Sequence, residues 1–187
     1  MNYYDFVAEP RFFSFLLEID RSIAREAHKV PCRYCGGKLD QADFHRAGYG
    51  LPDEAPAEVR RRFSFCCRRD GCRRRLTPDS VRFLRGMAYT AIVIVLAAAI
   101  HHGLTPDRAN FIKKNLHVSR QTISLWIKWW REVFTPSPFW QKMRGLFMPP
   151  LDETKLPLAL MNYFAIKSDT AEVSAKSIVK FIAPYPL

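Results

Sequence analysis

A mainly α-helical chain carrying one small β ribbon clasped by cysteines is the fold class the sequence predicts. Three observations predict it. Apolar residues recur at helical spacing in several separate stretches, two of them opened by Leu-Thr-Pro-Asp. Four of the five cysteines fall into two close pairs, Cys32 with Cys35 and Cys67 with Cys72. Between the pairs the helical rhythm stops, and RRFSFCC alternates Phe63, Phe65 and Cys67 on one face, as a short strand does.

At 187 residues and 48% hydrophobic content the chain can bury a real core and is too apolar for wholesale disorder. Its 29 Lys and Arg against 18 Asp and Glu leave a net charge of +11. Such a balance points to a polyanionic partner, nucleic acid ahead of a membrane surface. The start, MNYYDFVAEPRFFSF, lacks the basic region and apolar core of a secretory leader. The longest strongly apolar run, residues 86–100, has 15 residues, whereas a spanning helix needs roughly 20. It reads as a buried helix. The expected setting is therefore cytoplasmic and nucleoid-associated, with no membrane and with reduced cysteines that favour a metal over disulfides.

The elements follow in order. Residues 1–29 are expected to carry an N-terminal helix from Pro10 to Lys29, with Phe12, Leu16, Ile19, Ile23 and Ala27 on its apolar face and Phe15 beside them. Arg11, Ser14, Glu18, Arg21 and Arg25 take the opposite face. Residues 30–77 form the ribbon, with GYGLPDEAP (48–56) as loop material. Residues 78–134 hold helices over about 78–102 and 106–116 and from Ser119 to about Phe134. Each of the first two is capped by a Thr, with Pro at the first helical position and Asp beside the positive helix end. Residues 135–187 are a C-terminal helical region, with helices near 138–147, 155–166 and 171–182.

Cys32-x2-Cys35 followed by Gly36 and Gly37 has the form of a zinc knuckle, because the spacing lets both sulfurs reach one ion while the glycines turn the backbone beneath them. A second pair completes the four ligands that a structural Zn²⁺ takes. Cys67 to Cys72 leaves four intervening residues and Cys66 to Cys72 leaves five; knuckles of about two to four favour Cys67. Cys32, Cys35, Cys67 and Cys72 are thus the expected ligands of one structural zinc, with Cys66 in place of Cys67, or His45 as a fourth ligand, as alternatives. The 31 residues between the pairs imply an extended loop.

From Arg60 to Arg85 there are ten arginines and only two acids, Asp70 and Asp79. Arg60, Arg61, Arg62, Arg68, Arg69, Arg73, Arg74 and Arg75 surround the second knuckle. Guanidinium forks suit phosphate oxygens, which give affinity and salt dependence rather than sequence readout.

In ANFIKKNLHVSRQTISLWIKWW (109–130), Leu116-His117-Val118-Ser119 makes a turn and Ser119 caps the next helix. Ile123, Trp126, Ile127, Trp130 and Phe134 form its buried stripe, leaving Arg120, Gln121, Ser124, Lys128 and Arg131 outward. Arg and Gln can read guanine and adenine, while Ser119 and Thr122 suit phosphate. This stretch resembles the helix-turn-helix of bacterial transposases and regulators, with Val118-Ser119-Arg120-Gln121-Thr122 matching and His117 replacing the usual turn glycine. With the zinc ribbon before it, residues 30–134 resemble the DNA-binding front end of insertion-sequence transposases.

That resemblance implies binding to double-stranded DNA, in company with other protein components of a transposition complex. The family's carboxylate triad has no counterpart, since beyond residue 134 the acids are Asp152, Glu153, Asp169 and Glu172. No Ser-His-Asp, phosphate-loop or paired-carboxylate arrangement is evident either, so the expectation is a binding protein and not an enzyme. A transcription regulator, a protein-interaction adaptor using FWQKMRGLFMPP and LPLALMNYF, and a binder of structured RNA are the rival readings.

Overall fold

A computed structural model of the chain describes residues 9–46, 49–51, 54–84, 90–92, 95 and 118–184. They form a mainly helical fold with a small antiparallel β region. Helix α1 spans Pro10–Lys29, with Pro10 in its first turn and His28 and Lys29 complementing the negative end of its last. Its buried face runs through Phe12, Phe13, Leu16, Leu17, Asp20 and Ala24, while Ile19 and Ile23 are half-buried and Phe15 is exposed. The seam is thus rotated by about one residue from the expected stripe, and the residue that turns it is an aspartate.

Asp20 explains the rotation. Its carboxylate accepts hydrogen bonds from Ser80 Oγ, from Val81 N at 2.7 Å and from Arg82 Nε at 2.8 Å, and the Asp20 and Arg82 side chains are both fully buried. The Arg82 guanidinium also donates to the carbonyls of Val59 and Arg61, the latter at 2.9 Å. Every polar group in this knot has a partner, as burial demands.

The same knot overturns the helix expected from residue 78. Ser80 turns its hydroxyl to the backbone N–H groups of Arg82 and Phe83, both at 3.1 Å, and Phe83 bridges Thr90 in antiparallel fashion. Residues 77–84 are therefore not helical; helix is described only at Ala91, Ile92 and Val95. The rest of that helix, and the expected helix at 106–116, lie outside the described residues.

The β region comprises β1 (Leu39–Gln41), β2 (Phe44–His45), β3 (Arg61–Arg62), β4 (Phe65–Cys67) and β5 (Arg75–Leu76). One antiparallel sheet has the order β1-β4-β5, with Leu39 opposite Cys67 and Phe65 opposite Leu76; β2 and β3 pair separately. Between β2 and β3 the chain is more than a loop. Leu51, Ala55 and Val59 are buried in the main core, which also takes residues from α1, Val118 to Phe134 and the C-terminal helices. A second, smaller cluster of Ala24, Cys32, Leu39, Phe65 and Cys67 joins α1 to the ribbon.

Helix α2 (Arg120–Trp129) starts at Ser119, whose hydroxyl accepts from Thr122 N at 3.1 Å. It widens into one π turn over Trp130–Phe134, closed by Thr135 N donating to Trp130 O at 3.1 Å. The expected 138–147 helix is α3 (Pro138–Met143) followed by a 3₁₀ turn, and α4 (Leu158–Ile166) begins only after Pro157, where the proline ring suits a helix start. Helix α5 spans Ala171–Ile182, capped by Thr170, and packs on α4. Trp140 and Phe147 are buried, with Phe139, Tyr163, Phe164 and Phe181 half-buried around them; Phe147 stacks on Trp140 and meets Tyr163 and Phe181 edge to face. Among the described residues, these C-terminal aromatics therefore contribute to the core, while Leu146, Met148 and Ile166 of the same segments are exposed.

Candidate metal centre

The two cysteine knuckles face one another. Cys32 Sγ lies 3.8 Å from Cys72 Sγ and Cys35 Sγ lies 3.4 Å from Cys67 Sγ, and all four sulfurs fall within 4.8 Å of one another. Four sulfurs arranged tetrahedrally at about 2.3 Å from a Zn²⁺ would stand ~3.8 Å apart. The cluster thus has the dimensions of a four-cysteine metal site, and its separations far exceed the roughly 2.05 Å of a disulfide. Soft sulfur donors fit zinc and exclude calcium or magnesium, which take oxygen.

Local backbone chemistry builds each half. In the first knuckle Gly36 N donates to Cys32 O at 2.7 Å and Cys32 N to Gly37 O at 2.9 Å, with Gly36 at φ +69°. A Cβ at Gly37 would stand 3.0 Å from Cys67 Sγ and 3.3 Å from Cys35 Sγ, so the two knuckles close because nothing projects there. In the second, Cys72 N donates to Arg69 O at 3.1 Å, and Gly71 (φ +82°) and Arg73 (φ +45°) supply left-handed turns. Cys67 N donates to Arg74 O at 2.9 Å, tying the end of this knuckle back to β4.

A repeated device serves the sulfurs. The backbone N–H two residues ahead points at Cys32 (from Tyr34), at Cys67 (from Arg69) and at Cys72 (from Arg74). For Cys32 that hydrogen bond outweighs burial, and its thiol is lowered to about 7. For Cys67 the Arg69 N–H also pulls downward, yet burial and the neighbouring thiols push it up to about 12. Cys72 is likewise raised, against the pull of the Arg74 N–H, by burial and by Cys35 and Cys32. Four sulfurs packed this closely cannot all be anionic by themselves; a divalent cation would remove that conflict.

Cys66 stands apart. It lies opposite Asp40 and Arg75 in the sheet and directs its thiol to Arg73 O at 3.4 Å. His45 is exposed on β2 and does not join the four sulfurs. His28, not anticipated from the sequence, secures the ribbon instead: its ring stacks on Phe65 at 4.6 Å and Nε2 donates to Leu39 O at 2.8 Å. Its signal was faint, a polar residue in the last turn of an amphipathic helix.

The arginine belt divides in two. Arg62 does not belong to an exposed grip: it is buried, with its guanidinium donating to Pro78 O. Arg82, within the same belt, is the buried partner of Asp20. Arg61, Arg68, Arg69, Arg73, Arg74 and Arg75 are exposed and Arg60 is half-buried. Several of these have local tasks. Arg68 forms a forked pair with Asp40, the shortest contact 2.7 Å, which holds that carboxyl below the usual carboxylate range. Arg69 donates to Cys35 O at 3.0 Å, and Arg75 to Ala42 O at 3.0 Å and Ser64 Oγ at 3.1 Å. Arg61 lies 3.4 Å from Asp43.

Along α2 and the π turn after it, Ile123, Trp126, Trp130 and Phe134 are buried, as is Val118 before them; Ile127 is half-buried, and Gln121, Ser124, Lys128 and Arg131 are exposed. Thr122 is half-buried and shares a 2.9 Å contact with the Ser119 hydroxyl, so both are engaged in the cap. Lys128 sits 3.6 Å from Glu132. The backbone of Arg120 opens the helix. The turn before Val118 and the helix that would precede it lie outside the described residues.

Among the described residues no helix is long and apolar enough to cross a membrane. No protein-family model, curated protein or solved structure matches this chain.

Proposed function

We propose that this chain is a double-stranded DNA-binding protein whose ribbon folds around one structural zinc ion. The observation that carries the proposal is the closure of Cys32, Cys35, Cys67 and Cys72 into one cluster within a shell of exposed arginines. Zinc would fix the second knuckle, and with it the directions in which Arg69, Arg73 and Arg74 project toward phosphates. Helix α2 would enter the major groove. Its buried stripe holds it to the core, while Gln121, Ser124 and Lys128 are exposed on the opposite side and Arg120 occupies the first helical position.

The Val-Ser-Arg-Gln-Thr turn and the ribbon ahead of it resemble insertion-sequence transposases, which favours a mobile-element accessory protein, acting with other protein components and without a catalytic core of its own. Regulation of transcription is the second reading of the same DNA contacts.

Selection of bound sequences from a random duplex pool tests the proposal. Arg120→Ala and Gln121→Ala should each cost about 1–3 kcal/mol of base discrimination at one position while preserving zinc content. An unchanged preferred sequence in both variants would exclude α2 as the reader. A site resembling an element's terminal repeat would favour the mobile-element role.

A further inference from the structure

Outside the four sulfurs, the first knuckle carries an aromatic ring, Tyr34, that the duplex contacts proposed above do not use. Tyr34 is 55% exposed. The guanidinium of Arg33 lies 4.9 Å from its ring centroid and that of Arg74 lies 5.0 Å from it, and Arg33 also donates to the Tyr34 hydroxyl at 2.8 Å. Beside this ring opens a cleft of about 250 Å³ whose lining is almost wholly apolar, with Val30, Pro31, Cys32, Leu39 and Leu76 supplying most of it. Arg75 also lines it; its guanidinium is turned to Ala42 O and Ser64 Oγ, so it lends the cleft its hydrocarbon stem. Of the three arginines that line the cleft, Arg33 and Arg74 thus direct their charges to the Tyr34 ring.

This surface is built on a fixed backbone. The Tyr34 N–H points at the Cys32 sulfur, and Arg74 O accepts the Cys67 N–H. The ring and Arg74 are thus set by the same turns that close the cysteine cluster.

We infer that this cleft holds an unpaired nucleobase of the bound nucleic acid, which takes over a face of the Tyr34 ring that a guanidinium now covers, the displaced charge and its neighbour turning to the adjoining phosphates. The inference rests on the nucleic-acid reading above and adds a strand end, overhang or extruded base to its substrate. Paired bases inside a duplex have both faces covered by their neighbours, so only an unstacked base can enter. A flat base can take the place a guanidinium holds over the Tyr34 ring, because every base offers a π-face to stack there. The scarcity of polar groups in the lining fits stacking that tolerates any base, because reading a base edge needs donors and acceptors. An acidic peptide with an apolar anchor would satisfy the charge and the apolar lining but would not need the exposed face of Tyr34.

The test uses the full zinc-loaded chain and compares affinity, at fixed salt, for a blunt duplex and for the same duplex bearing a short single-stranded overhang. The overhang should be preferred by ~10-fold, as one base–aromatic stack gives. Tyr34→Phe should keep the preference. Tyr34→Ala should abolish it while leaving blunt-duplex affinity and zinc content unchanged. Equal affinity of the native chain for both duplexes, or a preference that survives Tyr34→Ala, would overturn the inference and leave duplex binding standing. Failure to bind either duplex would instead defeat the nucleic-acid reading itself. A glutamate-rich peptide with one aromatic residue, added as competitor, should not displace the overhang; displacement that depends on Tyr34 would assign the cleft to a protein partner.

Discussion

Two adjacent cysteines separate sharply at the level of single residues. Cys67 is fully buried among the other three sulfurs, whereas Cys66 turns toward Arg73 O on the other side of β4. Cys66→Ser should therefore retain one metal per chain, and Cys67→Ser should lose tight binding together with the ribbon fold; metal analysis of both purified variants checks this. Protons compete with the metal at the same atoms. The metal-free Cys32 thiol lies at about 7, below its ordinary value, and Cys67 at about 12, above it. Metal affinity should rise with pH on both sides of about 7, and binding should release one proton more below that value, where Cys32 is still protonated. The metal-free fold runs the other way at Cys67. Its raised pKa favours folding while the thiol stays protonated, a contribution lost as pH climbs toward about 12. Chelator competition read at several pH values, with proton release followed in weak buffer, measures the first effect; a pH-independent affinity would exclude thiolate ligation.

Elements obey local signals until a buried partner overrides them. Thr77-Pro78-Asp79 has the chemistry of a helix start, yet Asp20 captures Ser80, Val81 and Arg82 and holds the segment non-helical. Losing either end of this pair leaves a charge buried alone, so Asp20→Ala or Arg82→Ala should cost about 3–5 kcal/mol in chemical denaturation. Replacing both, as Asp20→Leu with Arg82→Met, should not restore stability. The pair also satisfies Val81 N–H and the carbonyls of Val59 and Arg61, which two apolar side chains would leave bare. Full recovery in the double variant would reduce the knot to a simple ion pair. What could be read from sequence divides along this line. The cysteine spacing, the Ser119 cap and the stripe from Ile123 to Phe134 depend on neighbours a few residues away, and each is legible. The rotated face of α1, the non-helical 77–84 segment and the burial of Leu51, Ala55 and Arg62 depend on contacts between distant parts of the chain, which no local period encodes.

Across the whole molecule, a run of arginines that looks uniform in sequence serves two purposes. Arg62 and Arg82 are interior residues that hold α1, the ribbon and the 77–84 segment together, while Arg69, Arg73 and Arg74 cover the outside of the cysteine cluster. Duplex affinity should respond to the two groups differently. Each exposed arginine that neutralises a phosphate releases a counterion, so its loss should lower the slope of log affinity against log salt by about 0.9. Arg73→Ala and Arg74→Ala should show that change with zinc content and unfolding midpoint preserved. Arg62→Ala should instead lower the unfolding midpoint, and the folded fraction that remains should bind with the native slope. A fourth substitution separates charge from fold still further. Asp40 engages Arg68 in an exposed forked pair, so Asp40→Asn should release that guanidinium and raise duplex affinity, most visibly at low salt. Titrations of the four variants across a salt series decide the matter. If Arg73→Ala, Arg74→Ala and Asp40→Asn all kept the native slope, the exposed arginines would not be the phosphate contacts, and DNA binding would have to be sought on another face of the molecule.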